Sequence, residues 1–137
     1  MIHVYDSSFV GSLIIPDEKI DKSEKYHDAV GKNDEIFTPQ LFWYEIANLL
    51  KNLIRRKRYT YEEALKQFSP LSKVQLITDF ETGIAYCKKL LFLANEYNLS
   101  SYDASYLELA ERKKAVLCTY DDDLRAAAKK HGVLLMK

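Results

Sequence analysis

Four acids are spaced as a metal-dependent hydrolase would need them. Asp6 directly follows the apolar stretch "IHVY", and Asp121 stands two residues past "AVLC". Glu45 sits among Trp43, Tyr44, Ile46 and Ala47, where a carboxylate is costly without a cation or donors nearby. Asp103 lies in "LSSYDASYLELA". Carboxylates brought together repel and raise one another's pKa until a cation joins them. Hard divalent ions such as Mg²⁺ or Mn²⁺ bind through a few carboxylates, waters and substrate phosphates. Such a site activates water and stabilises the leaving oxygen of a phosphodiester, and needs neither His nor Cys. Structural roles compete for the same residues. Asp6 suits a helix N-cap, Ser100 to Asp103 matches a capping box, and Thr119 with Asp122 matches another. Asp123 reads as a solvated residue of the helix start, where acids complement the helix dipole.

The elements that must position these acids alternate along the chain. Apolar segments at Ile2–Tyr5, Glu35–Thr38, Val74–Thr78 and Ala115–Thr119 read as strands, with a possible fifth at Val133–Met136. Pro39 to Lys57 carries one apolar helical face, with Pro39 suited to the first helical position. Thr60 with Glu63, and Thr78 with Glu81, have the form of capping boxes opening two further helices. A helix ends near Asn98, another follows Ser100, and a last one runs to His131 with Gly132 as its C-cap. This alternation implies a three-layer α/β/α domain over residues 1–137 with a central parallel sheet of four to five strands. Ligands of such a sheet bind at the carboxyl ends of its strands. Asp6, Asp121 and Glu45 belong to that edge by topology; Asp103 is left undetermined, because its helix follows another helix.

Lys plus Arg and Asp plus Glu both number 20, so the chain is not a general polyanion-coating protein. Charge can still be segregated, and the run Arg55, Arg56, Lys57, Arg58 is a candidate RNA contact. On a helix it would lie about 15 Å from Glu45, and so reach flanking RNA rather than the scissile phosphate. Cys87 and Cys118 show no metal-ligand spacing and read as reduced core residues. His3, His27 and His131 form no catalytic pattern. No leader or membrane-spanning run is evident, which implies a cytoplasmic protein. Phe42, Trp43 and Tyr44 cannot all face one core, so at least one should be exposed near the acids.

The segments "VYDSSFV", "WYEIANLL", "LSSYDASYLELA" and "CTYDDDLRAAA" resemble, in order and spacing, the PIN-domain ribonucleases, most of all the VapC toxins of toxin–antitoxin pairs. The resemblance covers essentially the whole chain. It implies a PIN-like fold and a Mg²⁺- or Mn²⁺-dependent endoribonuclease. Asp6, Glu45, Asp103 and Asp121 would be its catalytic acids, and Asp6, Asp103 and Asp121 its metal ligands. Ser8 and Thr119 would be supporting hydroxyls, and Asp122 would stand just outside the ligands. It further implies an RNA substrate, a VapB-like antitoxin partner and a homodimer. Two other readings fit the same residues: a housekeeping PIN-domain RNase, and a non-catalytic α/β binding domain that keeps the acids as helix caps. A phospho-acceptor receiver fits poorly, since "DSS" offers one acid after the first strand.

Overall fold

Four short strands form where the apolar segments lie, and all pair in parallel. They are β1 (Ile2–Tyr5), β2 (Glu35–Pro39), β3 (Ile77–Asp79) and β4 (Val116–Cys118), in the order β3-β2-β1-β4. The computed structural model describes residues 1–137. Central strands covered on both faces need continuous apolar residues, and Val4, Tyr5, Leu117 and Cys118 are all fully buried. The register decides the site. Tyr5 pairs with Cys118 and Thr38 with Thr78, so residues distant in sequence leave the sheet side by side. The Asp6 N–H extends the ladder by donating to Cys118 O at 3.2 Å.

Helices flank the sheet: α1 (Ser7–Ile14), α2 (Asp21–Asp28), α3 (Leu41–Arg55), α4 (Tyr61–Leu65), α5 (Phe68–Ser72), α6 (Ile84–Tyr97), α7 (Ser101–Lys113) and α8 (Asp122–His131). Helix α7 packs against β1, β2 and β4, with α6 and α8 laid against it, while α1 packs on α2, α3 and α5. On α3 the side chains of Phe42, Ile46, Leu50 and Leu53 are buried, the apolar face read from the sequence. Left-handed residues Asn98, Lys114 and Gly132 end α6, α7 and α8. No helix is long and apolar enough to cross a membrane.

Several local readings are corrected. Pro39 closes β2, paired with Asp79, and does not open α3. The third strand begins only at Ile77, because Val74 N–H still bonds Leu71 O and Gln75 has φ 58°. Residues 133–136 give a single bridge, Leu117 to Leu135, so the sheet has four strands. Thr60 and Glu63 form a reciprocal capping box, but Thr78 lies in β3 and Gly83 precedes α6 instead. Cys118 is buried as expected, whereas Cys87 is exposed on α6, where only Leu93 is buried.

Candidate active site

Asp6 takes the capping role that the sequence offered it. It is the N-cap of α1, its Oδ1 accepting from Phe9 N–H at 2.9 Å and from Ser8 Oγ at 2.7 Å. Thr119 Oγ1 donates to its other oxygen. The two hydroxyls also accept backbone protons, Ser8 from Tyr120 at 3.1 Å and Thr119 from Asp121 at 3.0 Å. Ser8 and Thr119 therefore tie the β4–α8 turn to Asp6. The carboxyl is only 5% exposed. Burial raises its pKa, the three donors oppose this, the charge of Asp121 adds to it, and the net shift is upward.

Asp121 is the N-cap of α8, its Oδ1 accepting from Leu124 N–H at 2.8 Å. Thr119 is not the cap, because its hydroxyl is committed to Asp6. Glu45 lies on the second turn of α3, and Tyr106 OH donates to its Oε1 at 2.5 Å. Burial raises the Glu45 pKa, and the charges of Asp6 and Asp103 reinforce that shift against the Tyr106 hydrogen bond. Asp103 donates its backbone N–H to Ser100 Oγ at 3.1 Å, half of the capping box. Burial raises the Asp103 carboxyl, the Asp121 charge adds to this, and Ser100 is the one group that eases it.

The four acids thus form a ring of mutual like-charge influence, Asp6 with Asp121 and Glu45, and Asp103 with Glu45 and Asp121. None of them takes part in any of the chain's ion pairs. No three His, Cys, Asp or Glu side chains are grouped closely enough to hold a metal ion by themselves. An all-oxygen donor set suits a hard divalent ion that keeps waters and takes substrate phosphate, and does not suit a closed Cys/His structural site.

Other candidates fall elsewhere. Asp123, not Asp122, is among the charges acting on Asp103, because successive helical residues point about 100° apart. Arg55, Arg56, Lys57 and Arg58 are exposed at the far end of α3. There Arg58 Nη2 pairs with Asp17 at 2.8 Å. Sequence reasoning missed Tyr106, fully buried within an apolar helix face; only its partner identifies it. The three histidines bond tyrosines, His3 with Tyr26, His27 with Tyr5 and His131 with Tyr97. A cleft of about 530 Å³ between α6 and α8 has Asp123 in its wall but none of the four ring acids.

The PIN domain family model matches residues 4–130. Ribonuclease VapC3 of Pyrobaculum aerophilum is 30% identical over 121 residues, 88% of this chain and 90% of that protein. The crystal structure of PAE2754 from Pyrobaculum aerophilum superposes with a TM-score of 0.71 at 26% identity, covering 98% of this chain and 83% of that one. VapBC2 from Rickettsia felis, bound to a DNA fragment from its promoter, superposes with a TM-score of 0.70 at 15% identity, covering 99% and 98%. That last likeness is one of fold alone.

Proposed function

This chain belongs to the PIN domain family, and on that premise we propose that it is a metal-dependent endoribonuclease, the toxin of a toxin–antitoxin pair. The observation that carries this reading is the ring of Asp6, Glu45, Asp103 and Asp121 at the carboxyl edge of the sheet, facing no cation of its own. Its likeness to Ribonuclease VapC3 supplies the substrate class.

Asp6, Asp103 and Asp121 would hold Mg²⁺ or Mn²⁺. A bound divalent ion of this kind supplies Lewis-acid stabilisation of phosphate charge and an acidified water. Asp6 is fixed by three donors, and so presents its oxygens without rotamer freedom. Asp121 caps α8 through Oδ1, which leaves its second oxygen without a hydrogen-bond partner. Glu45 has its Oε1 held by Tyr106 and its basicity raised by burial and by like charges. Its second oxygen would accept the proton of the attacking water as the 3′ oxygen leaves. The accompanying assembly is a homodimer neutralised by an antitoxin.

The test is RNA cleavage in Mg²⁺ or Mn²⁺ by purified wild type, Asp6→Asn and Asp103→Asn. Each substitution should lower the rate by about 100-fold or more, and Asp6→Ala should abolish growth arrest on expression. Mapping new RNA ends in arrested cells then names the target. Cleavage by Asp6→Asn at the wild-type rate sinks the reading.

A further inference from the structure

A second cleft on this edge is not used by the chemistry above. It encloses about 470 Å³ between the ends of β2 and β3 and the starts of α6 and α7. Two of its walls are the chain neighbours of ring carboxylates: Tyr44 precedes Glu45, and Tyr102 precedes Asp103. These tyrosines are 75% and 65% exposed, on helices whose other faces are packed. Tyr86, half-buried, supplies a third ring, and Gln40 a neutral amide. No Lys or Arg lines the cleft, and its only charges are Asp79 and Glu81. Asp79 is already taken by Arg112, at 2.7 and 3.1 Å. A phosphate placed here would find no cation in the lining to offset the carboxylates, so the cleft disfavours an RNA backbone. A neutral planar ring would meet aromatic faces, an amide and one free carboxylate acceptor. Unpaired RNA bases are held by such stacking and edge hydrogen bonds.

We infer that this cleft binds an unpaired nucleobase flanking the cut, stacked on Tyr44 and Tyr102, with its exocyclic amino group donating to Glu81. The inference rests on the ribonuclease reading and extends it to substrate selection. Adenine, cytosine and guanine carry that amino donor and uracil does not.

Cys87 lines the cleft and is exposed, whereas Cys118 is buried, so a thiol reagent reports occupancy at one position. The experiment follows alkylation of Cys87 by N-ethylmaleimide in Ca²⁺, with twelve-nucleotide oligo(rA), oligo(rC), oligo(rU) and an abasic ribose-phosphate oligomer as probes. Oligomer integrity is checked on the same samples. Oligo(rA) and oligo(rC) should slow alkylation by about 5-fold or more, oligo(rU) by less, and the abasic oligomer not at all. Tyr44→Ala and Tyr102→Ala, both at exposed positions, should remove the protection and raise KM for RNA cleavage by about 5-fold or more. Equal protection by the abasic oligomer overturns the inference, as does protection without RNA that grows with protein concentration, which would place a second copy over the cleft. Cleavage in Mg²⁺ without any protection of Cys87 overturns it while leaving the ribonuclease reading intact. Base-dependent protection without cleavage removes the ribonuclease reading and keeps the base site.

Discussion

Asp103 and Glu108 are both on α7, but their surroundings are opposite. Glu108 is 1% exposed and is gripped by Arg112, whose Nε and Nη2 donate to its two oxygens at 2.9 and 3.0 Å. The same guanidinium reaches Asp79 at the end of β3, and Lys89 approaches Glu108 at 3.7 Å. Burial alone would raise Asp79, but the hydrogen bonds and charge of Arg112 outweigh it and hold the carboxyl below its usual range. One turn and a half earlier, Asp103 meets Asp121, Asp123 and Glu45 instead, and its pKa rises. Acids with a purely structural task bring their own cations. The ring at the sheet edge leaves its charge to be neutralised from outside, which is what a site for a divalent ion and a phosphodiester requires.

The largest effect that separates the two clusters is expected from Arg112→Ala. It strands a buried Glu108 with only the longer Lys89 contact, and breaking one side of such a pair costs about 3–5 kcal/mol. Denaturant unfolding should show the loss, while the rate of RNA cleavage per folded molecule stays within a few-fold of wild type. An unchanged midpoint would mean that the cluster does not hold α7 to β3. Next in size is the response to Mg²⁺ or Mn²⁺. An ion that binds only the folded ring should stabilise it by about 2.7 kcal/mol at 100 times its Kd, read as a rising melting temperature. The rise should persist in Arg112→Ala and vanish in Asp6→Asn; persistence in Asp6→Asn would place the ion elsewhere.

The parallel sheet could be read from the sequence because strands buried on both faces are continuous apolar runs, as "AVLC" is. Asp6 and Asp121 could be read for a related reason: a residue just past a strand must leave the sheet at its carboxyl edge. Boundaries were less legible. Pro39 has a dihedral that suits either a strand end or a first helical turn, and only its pairing with Asp79 decides between them. Capping patterns misled at Thr78 and Thr119, whose hydroxyls serve partners far away in sequence: Thr78 accepts from Trp43 Nε1 at 2.9 Å, and Thr119 donates to Asp6. Tyr106 and the Arg112 network were invisible for the same reason. Their meaning lies in partners on other elements, and one-dimensional spacing does not encode which helix faces which.

The smallest expected effect concerns pH in the absence of metal. Asp6, Glu45 and Asp103 all have folded pKa values raised above their ordinary ones. The folded state therefore holds protons that the unfolded chain releases from about pH 4 upward, and stability contributed by these groups falls as pH rises through the folded values. Asp79 acts with the opposite sign, its contribution present above about pH 4 and lost as pH falls through its lowered value. In EDTA the protein should therefore soften between mildly acidic and neutral pH, and added Mg²⁺ should flatten that slope by favouring the ionised ring. Asp103→Asn tests the cause most cleanly. Asp6→Asn disturbs an acceptor on which Phe9, Ser8 and Thr119 depend, whereas Asp103 loses only its charge and the modest help of Ser100. In EDTA at pH 7.5 Asp103→Asn should stabilise the fold by a few tenths to about 1 kcal/mol and shallow the pH slope, even as it abolishes cleavage. A destabilising Asp103→Asn would show that this carboxylate is held by the fold after all, and the contrast with Glu108 would then fail at its central residue.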